Sequence, residues 1–203
     1  MPCLFMRLDM NYLMHLFLAG DDRESLVGNM MGDFVKGRLD DQYSPGIRSG
    51  IVLHRKIDSF ATGNRFFMQS KKRLDDSNGH YKGILVDIFY DHFLAENWEE
   101  YSIVPFSDYI SRVYAILKDF EPVLPERLRH VLPRMFSSNW LKSYQDLGGV
   151  DTILQRMSGR IMRPNPLAGG LLELTRNYEL LHSDFSCFMP EIQEYVTHLS
   201  RTA

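Results

Sequence analysis

Between Pro45 and Gly63, the residues Ile47, Ile51, His54, Ile57 and Phe60 recur at intervals of three and four. That interval marks one face of an α-helix, and it returns along nearly the whole chain. Leu26, Met30, Phe34 and Val35 repeat it up to Leu39, behind a helix-start signal at Asp21-Asp22. Pro45 is placed to open the next helix and Gly63 to close it. Phe66, Phe67 and Leu74 predict a basic helix ending at Ser77-Asn78-Gly79. The strongest helix is expected over 83–98, where Leu85, Ile88, Phe89 and Phe93 mark an apolar side. Further helices are expected over 106–120, 125–136, 141–146, 150–161, 167–181 and 185–201. Sustained strand alternation, Gly-rich phosphate loops, internal repeats and Ser/Gly linkers are all missing. The pattern predicts a single all-α domain over 10–203. Met10 is a plausible start, which makes residues 1–9 an N-terminal extension.

At 203 residues, with 44% hydrophobic and 24% charged side chains, the chain suits one large globular domain. A net charge of −3 argues against a generic nucleic-acid or membrane-surface binder. The charge is unevenly spread. After Asp33 and up to Arg73, nine Lys/Arg face only Asp40, Asp41 and Asp58. Over 84–121, eight acids face only Arg112 and Lys118. Cys3 and Cys187 sit near opposite ends with no metal-binding spacing, which suits a reducing cytoplasm. The apolar start of the chain is interrupted by Arg7, Asp9, Asn11 and His15, so neither a signal peptide nor a membrane span is expected there.

Polar pairs at i, i+4 stand out in the first hundred residues: Asn29 with Asp33, His54 with Asp58, and Asp87 with Asp91. On a helix, each pair projects side by side. The last two pairs lie among apolar residues, and a carboxylate or imidazole turned inward is costly unless paired or metal-bound. Taken singly, such a pair is most often a surface ion pair. Several, together with His15, resemble the way helical bundles build carboxylate–histidine metal sites. Oxygen donors mixed with imidazole suit Mn²⁺, Mg²⁺ or Fe²⁺. With no Ser or Cys nucleophile motif in view, hydrolysis by metal-activated water is the chemistry expected. His80, His130, His182 and His198 lack such companions. Trp98 and Trp140 are expected in the core.

Met10-Asn11-Tyr12-Leu13-Met14-His15-Leu16, Gly28-Asn29, Gly32-Asp33-Phe34-Val35, Gly50-Ile51, His54-Arg55-Lys56-Ile57-Asp58 and Asp87-Ile88-Phe89-Tyr90-Asp91-His92-Phe93-Leu94 together resemble the acyl carrier protein phosphodiesterases. The likeness continues more weakly through Asn139-Trp140-Leu141 and Met157-Ser158-Gly159-Arg160. That family is similar to a divergent branch of the all-α histidine–aspartate metal-dependent phosphohydrolases, although here Asp91-His92 reverses the usual His-Asp order. The resemblance implies hydrolysis of the phosphodiester that joins 4′-phosphopantetheine to a serine of holo-acyl carrier protein. Asp33, His54, Asp58, Asp87 and Asp91 are then the candidate metal shell, with Mn²⁺ the expected ion and His15 close by. His92 or His15 would protonate the leaving serine oxygen, and Arg55 and Arg160 would balance phosphoryl charge. Lys36, Arg38, Lys56, Lys71, Lys72 and Arg73, with Arg48, would receive the acidic carrier protein. Two other readings share these residues: a phosphohydrolase of a nucleotide or other small phosphoester, and a non-enzymatic helical binding module whose polar pairs are structural.

Overall fold

The computed structural model describes residues 12–39 and 41–202, so the extension read at 1–9, and Asp40, lie outside it. Eleven α-helices are found among the described residues, and no strand. They are α1 (Tyr12–Leu18), α2 (Arg23–Met31), α3 (Pro45–Gly63), α4 (Arg65–Arg73), α5 (Lys82–Glu96), α6 (Trp98–Tyr101), α7 (Phe106–Asp119), α8 (Glu126–Ser137), α9 (Leu147–Arg160), α10 (Gly170–Arg176) and α11 (Tyr178–Thr202). The all-α class read from the periodicity is what is observed. No helix among the described residues is long and apolar enough to cross a membrane.

The boundaries follow local chemistry. The Ser44 side chain accepts from the Ile47 N–H at 3.3 Å, and Pro45 sits in the first turn of α3, where its missing N–H costs nothing. Asn64 ends α3 and caps α4 by accepting from the Phe66 N–H at 2.9 Å. Asp22 caps α2 through the Ser25 N–H at 2.7 Å. Several boundaries differ from the sequence reading: α4 ends at Arg73 and not at Ser77-Asn78-Gly79, and the helix read over 141–146 is a 3₁₀ turn, Trp140–Gln145. The helix expected to run to Leu39 ends at Met31, so Asp33 sits in a turn and not on the helix face of Asn29. Near the C-terminus the break falls at Asn177, and α11 runs unbroken for 25 residues through Pro190. Pro190 lies on the exposed side, where water can satisfy the backbone carbonyl that loses its partner.

At the centre is α5. The periodicity suggests one apolar side, yet every residue from Ile88 to Ala95 is buried. Helix α5 packs against α1, α4, α9, α11 and the 3₁₀ turn Trp140–Gln145, and a helix covered on all sides needs no polar face. Phe89 and Phe93 join Trp140, Tyr144, Phe185 and Phe188 as the largest buried side chains. Trp98 is buried as expected.

Helices α2 and α3 meet backbone to backbone. A Cβ on Gly28 would lie 2.1 Å from the Ile47 carbonyl oxygen, and one on Gly50 would lie 2.3 Å from that of Ser25. This contact brings the His54 face of α3 up against the end of α2.

Candidate metal centre

The close approach of α2 and α3 continues to Gly32, where a Cβ would lie 2.1 Å from His54 Cγ. The His54 ring occupies the space a side chain would take. Its Nε2 lies 3.4 Å from Asp58 Oδ2, one turn on along α3, and 3.3 Å from Asp33 Oδ1. From the other side α1 contributes His15, whose ring stacks on that of His54 with centroids 3.9 Å apart. His15 Nε2 lies 3.2 Å from Asp58 Oδ1, and its Nδ1 lies 3.1 Å from Asn29 Oδ1. Both rings and Asn29 are buried, whereas the Asp58 side chain is 40% exposed and opens the cluster to solvent.

Among the described residues, His15, His54 and Asp58 form one group whose ligand atoms all lie within 4.8 Å of one another. A divalent cation fits this donor set. His15 Nε2 is buried, lies 3.2 Å from a carboxylate oxygen and makes no hydrogen bond, so a ring nitrogen and carboxylate oxygens converge at one point. The same crowding acts on the protonation of His15. Burial disfavours its charged form, but contact with Asp58 and the charges of Asp33 and Asp91 outweigh it and raise the pKa above the ordinary histidine value.

The remaining candidates are distributed as follows. Asp91 is fully buried, and its two oxygens accept from the Leu13 and Met14 N–H groups at 3.1 and 2.8 Å, which caps α1 immediately before His15. Burial pushes its carboxyl up to about 7, against the pull of those two N–H groups. Asp87 is half-buried one turn earlier on α5 and does not join the three-residue group. His92 is buried with both nitrogens engaged, Nδ1 at 2.7 Å from the Tyr144 carbonyl and Nε2 at 3.0 Å from the Tyr178 hydroxyl, which also contacts Glu96. Arg160 lies over the Trp140 ring. Arg55 forks onto two backbone carbonyls, Val35 and Gly37, at 2.9 Å each, and so holds the loop that follows α2.

The cations divide into two kinds. Lys36 is 61% exposed, with Nζ 3.9 Å from Asp33 Oδ1 at the rim of the cluster. Arg38, Lys56 and Lys72 are exposed, and Lys71 is half-buried. Arg73 points inward, donating from Nε and Nη2 to the buried carboxylate of Asp184 at 2.6 and 3.0 Å. Gln69 and Ser70 complete the shell of Asp184, and the bond from Arg73 to that carboxylate raises the Arg73 pKa. Asp184 carries no signal in the sequence, because its partners lie on α4 and no local spacing links them. The ring-seating role of Gly32 is marked only by its place beside Asp33.

Buried imidazoles and a half-exposed carboxylate on an all-helical scaffold define a helical protein with a histidine–carboxylate centre suited to a divalent cation. The chain belongs to the acyl carrier protein phosphodiesterase family, whose profile it matches over residues 10–192. It is 31% identical to the acyl carrier protein phosphodiesterase of Photorhabdus laumondii, covering 91% of this chain and 94% of that one. The proteins of the same name from Yersinia pestis and Serratia proteamaculans are 29% and 28% identical, covering 93% and 91% of this chain and 98% and 96% of their own lengths. No solved structure matches significantly.

Proposed function

We propose that this chain hydrolyses the phosphodiester between 4′-phosphopantetheine and the serine of holo-acyl carrier protein, releasing apo-carrier and 4′-phosphopantetheine, with a divalent cation held by His15, His54 and Asp58. The observation that carries this reading is the convergence of those three side chains within 4.8 Å, in a chain of this family. Two imidazoles with a carboxylate take Mn²⁺ or Fe²⁺, of which Mn²⁺ is the ion proposed, with Mg²⁺ a poorer substitute. Bound there, the ion supplies a more acidic water and a positive charge beside the phosphoryl oxygens.

The chain's own residues do the rest. Asp33, whose Oδ1 lies 3.3 Å from His54 Nε2, would offer a further carboxylate oxygen to the cation. Lys36 holds its ammonium at the rim, where it balances charge on the phosphoryl oxygens. Arg55 keeps the loop bearing Lys36 and Arg38 in place through the two carbonyls it grips. Lys36, Arg38, Lys56, Lys71 and Lys72, with Arg48, attract the acidic carrier. Asp87, Asp91, His92 and Arg160 support the scaffold around the centre, and Arg73 belongs to the Asp184 cluster. With a reduced-thiol carrier as substrate, the reaction takes place in the cytoplasm. Kinship with the histidine–aspartate phosphohydrolases is part of the same proposal, supported by a histidine–aspartate cluster on helices alone.

The test is the mass of holo-acyl carrier protein after incubation with the protein and Mn²⁺. Loss of one phosphopantetheine group, abolished by EDTA and restored by Mn²⁺, is the expected result. Turnover untouched by chelation would overturn the metal centre. Turnover of nucleotides with none of the carrier would favour the small-phosphoester reading.

A further inference from the structure

Asn29 lies on α2 with no exposed surface, in the stretch where Gly28 and Gly50 let the two helix backbones touch. Its carbonyl oxygen, Oδ1, stands 3.1 Å from His15 Nδ1. An amide oxygen only accepts, so this contact is a hydrogen bond when the proton of a neutral His15 sits on Nδ1. The lone pair is then left on Nε2, the atom that faces Asp58 without a hydrogen bond. The opposite arrangement, with the proton on Nε2, would set the Nδ1 lone pair against the Asn29 oxygen. We infer that Asn29 is a positioning residue that fixes His15 in the Nδ1–H tautomer, presenting Nε2 to a cation shared with His54 and Asp58. The inference rests on the metal-centre reading above.

Outer partners of this kind fix ring orientation and tautomer, and their loss typically weakens metal binding by roughly 10–100-fold. The asparagine is suited to the task because it is neutral. It orders the ring without adding another carboxylate to a cluster that already holds Asp33 and Asp58. The backbone contact at Gly28 and Gly50 makes its position independent of any ligand.

The experiment reads the tautomer in metal-free protein by long-range ¹H–¹⁵N correlation of His15, with the pH raised until the ¹⁵N shifts show the ring neutral. The parent should show the Nδ1–H form, and Asn29→Leu should lose that preference. Mn²⁺ titration should then give affinity reduced roughly 10–100-fold in Asn29→Leu, and affinity within a few-fold of the parent in Asn29→Asp, which retains an acceptor at Nδ1. A parent in the Nε2–H form overturns the inference without need of any variant, as does an Asn29→Leu protein that folds and binds Mn²⁺ like the parent. If the parent binds no Mn²⁺ at all, the metal-centre reading fails and takes with it the claim that the tautomer serves a cation. The metal-free spectrum distinguishes the two failures, because it reports the His15 tautomer with no cation involved.

Discussion

His15 and His54 stack with ring planes 18° apart, and a single carboxylate, Asp58, reaches the Nε2 atoms of both. Two imidazolium ions at a centroid distance of 3.9 Å would repel strongly inside the protein, so the stack is stable only when positive charge between the rings is shared or replaced. Asp58 is the counter-charge common to both rings, and its half-open position makes it the door to the cluster.

Asp58→Ala should therefore abolish tight Mn²⁺ binding and lower kcat/KM by about a thousandfold, the scale of several kcal/mol of lost charge stabilisation. The fold should survive, since the side chain is half-exposed. Calorimetric titration, turnover and circular dichroism read the three effects, and a fully active variant would exclude the proposed centre.

Arg55→Lys keeps the charge but cannot fork onto the Val35 and Gly37 carbonyls together. Amide exchange over 35–39 should accelerate about tenfold, the equivalent of one lost hydrogen bond, and kcat/KM should fall by a similar factor. Unchanged exchange in that loop would show that the grip is not what holds it.

Asp184→Ala should leave Arg73 without its carboxylate partner inside the α4–α11 contact and cost about 3 kcal/mol or more of stability. Turnover per folded molecule should not change. Urea unfolding with m-values compared is the measurement, and a loss under 1 kcal/mol would contradict the structural role of the pair.

Lys71→Glu combined with Lys72→Glu should leave stability nearly untouched, reduce kcat/KM for the carrier protein, and flatten its dependence on NaCl. Rim charges act mainly on association, and salt screens them beyond ~8–10 Å. A small phosphodiester lacking the carrier should be hydrolysed as by the parent. Equal losses on both substrates would place carrier docking elsewhere.

For pH, the sign follows from Asp91 and His15, both of which hold their protons more strongly in the folded protein. Asp91 moves from 3.8 unfolded to about 7 folded, so its contribution is complete below pH 4 and is lost as pH rises through 7. His15 adds in the same direction at higher pH. In EDTA, the unfolding free energy should fall between pH 5.5 and 7.5. The slope should be smaller in Asp91→Asn, and an unchanged slope would remove Asp91 as its source.

Much of the architecture was legible because it is local. Helical class, the opening of α3 at Pro45 and the pairing of His54 with Asp58 all follow from neighbours one turn apart. The end of α2 was less legible. The apolar spacing runs on to Val35, but the helix gives way to turns after Met31, and at Gly32 the His54 ring takes the place of a side chain.

What the sequence by itself determined was which polar side chains share a helix face: His54 with Asp58, and Asp87 with Asp91. What only the tertiary structure decided was what faces them. Asp91 meets the backbone N–H groups that start α1, Asn29 meets His15 and not Asp33, and Arg73 meets Asp184 across 111 residues of chain. The reason is physical. A spacing of four along a helix sets the angle between two side chains, but the cost of burying a charge is met by whichever donor or acceptor the packing of another helix brings within about 3 Å.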